Sequence, residues 1–145
     1  MQTRNAIVDA WYERTVETYP AEARPQLLRV GDRFRNPVGA LLKVSLEAVF
    51  HEIDNEMDEA RVRRALDPIV RLRAVQDFTP AEAISFASQL REVAREQHVT
   101  FPDHEQRLDR LSRLALDTYK RCREQIDSIR RREAASPLAH LRCRS

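Results

Sequence analysis

From Leu108 to Ile129 the apolar residues Leu108, Leu111, Ala115, Tyr119, Cys122, Ile126 and Ile129 recur at steps of three and four. A backbone turning through about 100° per residue carries all of them on one side. A strand, with its period of two, would scatter them over both faces. The stripe therefore commits this part of the chain to one long amphipathic helix, spaced like a packed or coiled seam. The remaining sequence must supply partners for that face, and it repeats the same period. Glycine is scarce, with only Gly31 and Gly39 in 145 residues. A β-sandwich or a nucleotide-binding α/β domain needs more tight turns than that. The reading is all-α: a single-domain helical bundle of about six or seven helices.

Local signals place those helices. Ile7, Val8, Trp11, Thr15 and Tyr19 predict a helix over 4–19, with Thr3 as N-cap and Pro20 as its end. Leu27, Leu28 and Val30 predict a short helix over 21–30. Asn36-Pro37 joins a cap to a proline at the first helical position, where the missing N–H costs nothing, and starts a helix over 37–55. Asp58 caps a segment over 58–76. Asp67-Pro68 offers a second start inside it, so the segment is either two helices or one kinked helix. Thr79-Pro80-Ala81-Glu82 is a capping box with proline at N1, opening a helix to Gln97. The pattern fades after the last helix, dividing the chain into a helical domain, 1–132, and a tail, 133–145.

Motifs for chemistry are missing. The sequence holds no nucleophile elbow, P-loop, zinc or EF-hand pattern. The two cysteines, Cys122 and Cys143, make no disulfide framework. None of the four histidines is three or four residues from another; His98 and His104 flank a loop, which is weak ground for a metal site. No catalytic residue, metal or cofactor is expected, and the chain is not read as an enzyme. There is no run of apolar residues long enough for a membrane span and no signal-peptide core, so the expected location is cytoplasmic. The two helices within 67–97 could form a helix–turn–helix. The second opens with Glu82 and lacks positive charge where base contacts fall, and the net charge is only +2, so nucleic acid is not an expected partner.

The segment Leu66 to Phe86, LDPIVRLRAVQDFTPAEAISF, sets charges among apolar residues. With Arg71 at 0° and about 100° per residue, Val75, Leu72, Val70, Ala74 and Phe78 form an apolar arc around it, while Arg73, Gln76 and Asp77 lie opposite. Arg71 is thus expected to point inward and to need an acceptor, with Asp32 the favoured acid. Arg73 and Asp77 are expected to be a solvated i,i+4 pair. The candidate ligand- or partner-binding residues are Asp32, Arg33, Arg71, Arg73, Gln76 and Asp77.

DRFRNPVGALL at 32–42 and the 66–86 segment resemble the N-terminal domain of the RsbRD family of RsbT co-antagonists. LALDTYKRCREQIDSIR at 114–130 and the Trp11 region with Tyr19-Pro20 support the likeness, which spans roughly 4–132. The resemblance implies an all-helical regulatory input domain. In related stress-signalling proteins such domains are haem-free, globin-like and dimeric, and precede a phosphorylatable STAS domain; in others they precede a histidine kinase. No such output half is seen after residue 132, so a free-standing input domain is expected. The resemblance supplies no catalytic residues. The leading expectation is a non-enzymatic signalling domain acting by protein–protein interaction, as a homodimer built on its first or last helix. A small-molecule sensor with an anion held near Arg71 and Arg33 is the alternative. A haem-binding globin-like sensor, which needs an inward His51 or His98, ranks below both.

Overall fold

The computed structural model describes residues 2–28, 36–76 and 78–135, the first three by backbone alone. Among these residues the chain forms six helices and no strand: α1 (Gln2–Val16), α2 (Arg24–Leu27), α3 (Pro37–Asp54), α4 (Glu59–Val75), α5 (Pro80–Glu96) and α6 (His104–Ala135). The fold is an all-α bundle, as the periodicity requires. The packing partners close a circuit: α1 lies against α3, α3 against α4, α4 against α6, α6 against α5, and α5 against α1, with α4 also touching α5.

Three elements differ from expectation. α1 starts at Gln2 and ends at Val16, so Thr3 lies inside the helix rather than capping it, and the helix stops short of Pro20, with residues 17–19 in a turn. The helix expected over 21–30 is a single turn with proline at its start. The 58–76 segment is one helix with Pro68 inside it. Val62 and Leu66 before the proline and Ile69 and Val70 after it are all fully buried. Burial of one continuous face on both sides outweighs the hydrogen bond that Pro68 removes.

The caps form as their residues dictate. The Asn36 side chain accepts from the Gly39 N–H at 2.9 Å and donates to the Leu27 carbonyl at 3.1 Å, tying α2 to the start of α3. Tyr12 donates to that same carbonyl from α1. Thr79 and Glu82 make the reciprocal capping box at α5. The carbonyl ends of two helices are capped by arginines of α6. Arg107 donates to Ile53 O at 2.6 Å and Asn55 O at 2.7 Å, and Arg123 donates to Ala74 O at 3.0 Å. Each places a positive group where exposed carbonyls and the helix dipole favour one. Trp11 is fully buried at the centre; its indole N–H donates to Phe86 O at 2.6 Å.

Candidate functional site

The inward arginine of α4 is Arg73, and Arg71 faces out. The side chain of Arg71 is 46% exposed, whereas Arg73 is 0% exposed. The expected helix phase was wrong, and the reason is local. α4 ends at Val75 with Gln76 as its C-cap, so Phe78 does not belong to its apolar arc, and Val75 itself is 55% exposed. The core face is set by Val62, Leu66, Ile69 and Val70. Arg73 lies seven residues after Leu66, four after Ile69 and three after Val70, so it falls in the middle of that face.

Around Arg73 the ends of three helices converge. Its Nη1 donates to the Glu82 carbonyl at 2.8 Å and, more weakly, to Ser85 Oγ at 3.4 Å; Nη2 donates to Thr18 Oγ1 at 2.7 Å. The rings of Tyr19, Phe78 and Phe86 stand around the guanidinium, with centroids 5.1, 5.1 and 5.4 Å from its central carbon. Among the described residues no carboxylate lies within ion-pair distance of it. Burial pulls the Arg73 pKa down from its ordinary value, and Tyr19 acts in the opposite direction. Burial likewise raises the Tyr19 phenol, against the pull of Arg73. Among the described residues, the Tyr19 hydroxyl and Arg73 Nε, both buried, have no hydrogen-bond partner. The cation is therefore held by neutral acceptors and aromatic faces. It joins the end of α1, the last turn of α4 and the first turns of α5.

Arg71 is engaged at the surface. It makes two 3.2 Å bonds to Asp67 and another of 3.2 Å to Gln125 on α6. Its pKa is raised, first by the bond to Asp67. These partners engage Nε and Nη2, the edge of the guanidinium that would otherwise take an anion on two parallel bonds. Gln76 is exposed and lines a cavity of about 230 Å³ with Tyr19, Leu27 and Asn36. Asp32, Arg33 and Asp77 lie outside the described residues, so the Asp32 pairing and the Arg73–Asp77 pair are not tested. Of the six candidates, the structure thus separates Arg71, Arg73 and Gln76. The Arg73 cage was not anticipated, although the Leu66-to-Arg73 spacing was a readable signal for it.

Among the described residues no histidine offers an inward helical ligand. His51 is exposed, and His98 is exposed beyond α5 with φ 55°. His104 stacks on Phe101 and its Nδ1 accepts the Phe101 N–H at 3.1 Å. Among the described residues no three His, Cys, Asp or Glu side chains are gathered as a metal site, and no helix is long and apolar enough to cross a membrane.

The fold and this cage define a helical domain whose helix ends are joined by polar contacts. A family model described as the RsbT co-antagonist protein rsbRD N-terminal domain matches residues 5–134. The chain belongs to that family, which is one of regulatory domains in stress signalling. No curated protein and no solved structure matches the chain.

Proposed function

We propose that this domain is a non-enzymatic regulatory module of the cytoplasm that works by binding protein, through the outer half of α6. One observation carries the reading. The apolar stripe of α6 outruns the bundle: its last fully buried residue is Cys122, yet the helix continues to Ala135. Ile126 is half-buried against the core and Ile129 is 54% exposed. An apolar seam that continues where its own bundle stops provides a surface for a second helix. A second copy of the chain, seam to seam, makes the expected homodimer on the last helix; a regulatory protein partner uses the same surface.

The test combines light scattering at micromolar concentration with capture from a native lysate on the immobilised full chain. A dimeric mass, or a stoichiometric partner, lost in Ile129→Glu, is expected. A monomeric mass together with no stoichiometric partner would overturn the reading. Arg71 offers less support for an anion sensor, because Asp67 and Gln125 already engage its guanidinium.

A further inference from the structure

Two clefts lie between α4 and α6, and Arg63 lines both. The first, about 330 Å³, adds Arg110, Arg113 and Asp117, with Leu114 as an apolar floor. The second, about 220 Å³, adds Arg71, Arg121 and Cys122. The charges along this groove are unequally satisfied. Arg63 bonds Asp117 at 2.5 Å and reaches Glu59 at 3.5 Å; Arg121 approaches Asp117 at 3.2 Å. Arg63 accordingly lowers the Asp117 pKa. Arg71 is paired with Asp67. Arg110 and Arg113 are different: among the described residues neither has a carboxylate within ion-pair distance. They stand three residues apart on α6, one half-buried and one exposed, at the mouth of the first cleft. The groove's own acids are thus already matched, and two guanidiniums about one helical turn apart are left over.

We propose that the α4–α6 groove docks an acidic segment of a protein partner, one presenting two carboxylates about a helical turn apart. The proposal rests on the reading above that the domain binds protein; to the apolar seam at the outer end of α6 it adds a second, charged surface nearer the start of that helix, and it names the charge of the partner segment. Arginine suits the task, since its planar fork takes a carboxylate on two parallel bonds. The buried Leu114 lets an apolar side chain between the two carboxylates settle on the cleft floor. The carboxylates of Glu59, Asp67 and Asp117 decide against a nucleic acid. They interrupt the positive charge along the groove and would repel an unbroken row of phosphates. A peptide can place acids only where the arginines are.

The experiment uses the full chain and a fluorescein-labelled helical peptide carrying two glutamates three residues apart around a leucine. A control peptide has glutamine at both positions. Fluorescence anisotropy is read at about 50 mM NaCl, where exposed charges are only partly screened. The wild-type chain is expected to prefer the glutamate peptide by about tenfold, and Arg110→Glu with Arg113→Glu to abolish that preference. Arg110→Gln with Arg113→Gln, which adds no new repulsion, should also remove most of it. Arg61→Glu with Arg64→Glu makes the same change in net charge on two exposed residues of α4, three apart, that line a different cleft with His51 and Glu52, and should alter the preference less than about twofold. Helical circular dichroism checks that each variant is folded. Equal losses in the two glutamate double variants would reduce the effect to net charge and overturn the proposal. So would a wild-type chain indifferent to the two peptides, or one that binds an oligonucleotide of equal charge more tightly than the glutamate peptide. A native partner whose capture survives the Arg110 and Arg113 changes would sink the groove while leaving the protein-binding reading intact. Absence of any native partner or dimer would sink that reading instead.

Discussion

Replacing Arg73 by alanine and by methionine separates what its charge does from what its bulk does. Two good bonds from a cation, to Glu82 O and Thr18 Oγ1, are worth about 1.5–3 kcal/mol each. The aromatic faces add about 0.5–2 kcal/mol. Against this stands the penalty of removing the cation from water, which is several kcal/mol. The two sides come close to cancelling. Nor does loss of the guanidinium orphan its neighbours. Thr18 keeps its bond to Thr15 O at 2.6 Å, and the Glu82 carbonyl keeps the Ser85 hydroxyl at 2.8 Å. Methionine preserves most of the buried length and carries no charge. It is expected to stay within about 1.5 kcal/mol of wild type. Alanine empties the space between Tyr19, Phe78 and Phe86, and should cost about 3–4 kcal/mol, the range of other long buried side chains cut to alanine. Urea titration followed by Trp11 fluorescence reads both. With a slope of about 1–3 kcal/mol per molar, the alanine midpoint should fall by about 1–4 M. A methionine variant as unstable as alanine would mean that the polar bonds outweigh desolvation. An alanine variant within about 0.5 kcal/mol of wild type would mean that Arg73 is not buried at all.

Other expectations follow from the same contacts. Arg71→Ala should cost no more than about 0.5 kcal/mol in the same titration, because its i,i+4 pair with Asp67 is exposed. A Cβ at position 39 would stand 2.1 Å from Asn36 Nδ2 and push that side chain out of its cap, so Gly39→Ala and Asn36→Ala should each cost about 1 kcal/mol. In the Asn36→Ala background the clash is gone, and Gly39→Ala should become neutral or stabilising by up to about 1 kcal/mol; additive losses in the double variant would refute the account. The bonds from Thr79 hold the Glu82 carboxyl below its ordinary value of 4.5. A depressed carboxylate contributes stability above that ordinary value and loses it as pH falls through the folded value. Acidification should therefore lower the protection of amides at the start of α5, read as the exchange rate relative to that of an unstructured chain at the same pH, and Glu82→Ala should flatten that dependence.

Much of this architecture was legible in the order of residues. Asn36-Pro37, Asp58 and Thr79-Pro80-Ala81-Glu82 mark the starts of α3, α4 and α5, because a cap is made within one turn from residues a few positions apart. The stripe from Leu108 to Cys122 likewise predicts its own burial, since period and face are properties of a single helix. Family membership was legible too, in the two motifs at 32–42 and 66–86. What the sequence alone left undecided was where α4 points its arginines. Arg71 and Arg73 are flanked by similar apolar residues, and a phase taken from Val75 and Phe78 chose the wrong one. Only the packed bundle decides it. α4 must present Val62, Leu66, Ile69 and Val70 to α3, α5 and α6 together, and that rotation carries Arg73 inward. Its acceptors, Thr18 and Glu82, come from the end of α1 and the start of α5, far apart along the chain and meeting only where the circuit of helices closes. The same holds for the α4–α6 groove. Whether Arg110 and Arg113 find a partner depends on which carboxylates the facing helix presents, and no periodicity within α6 records that.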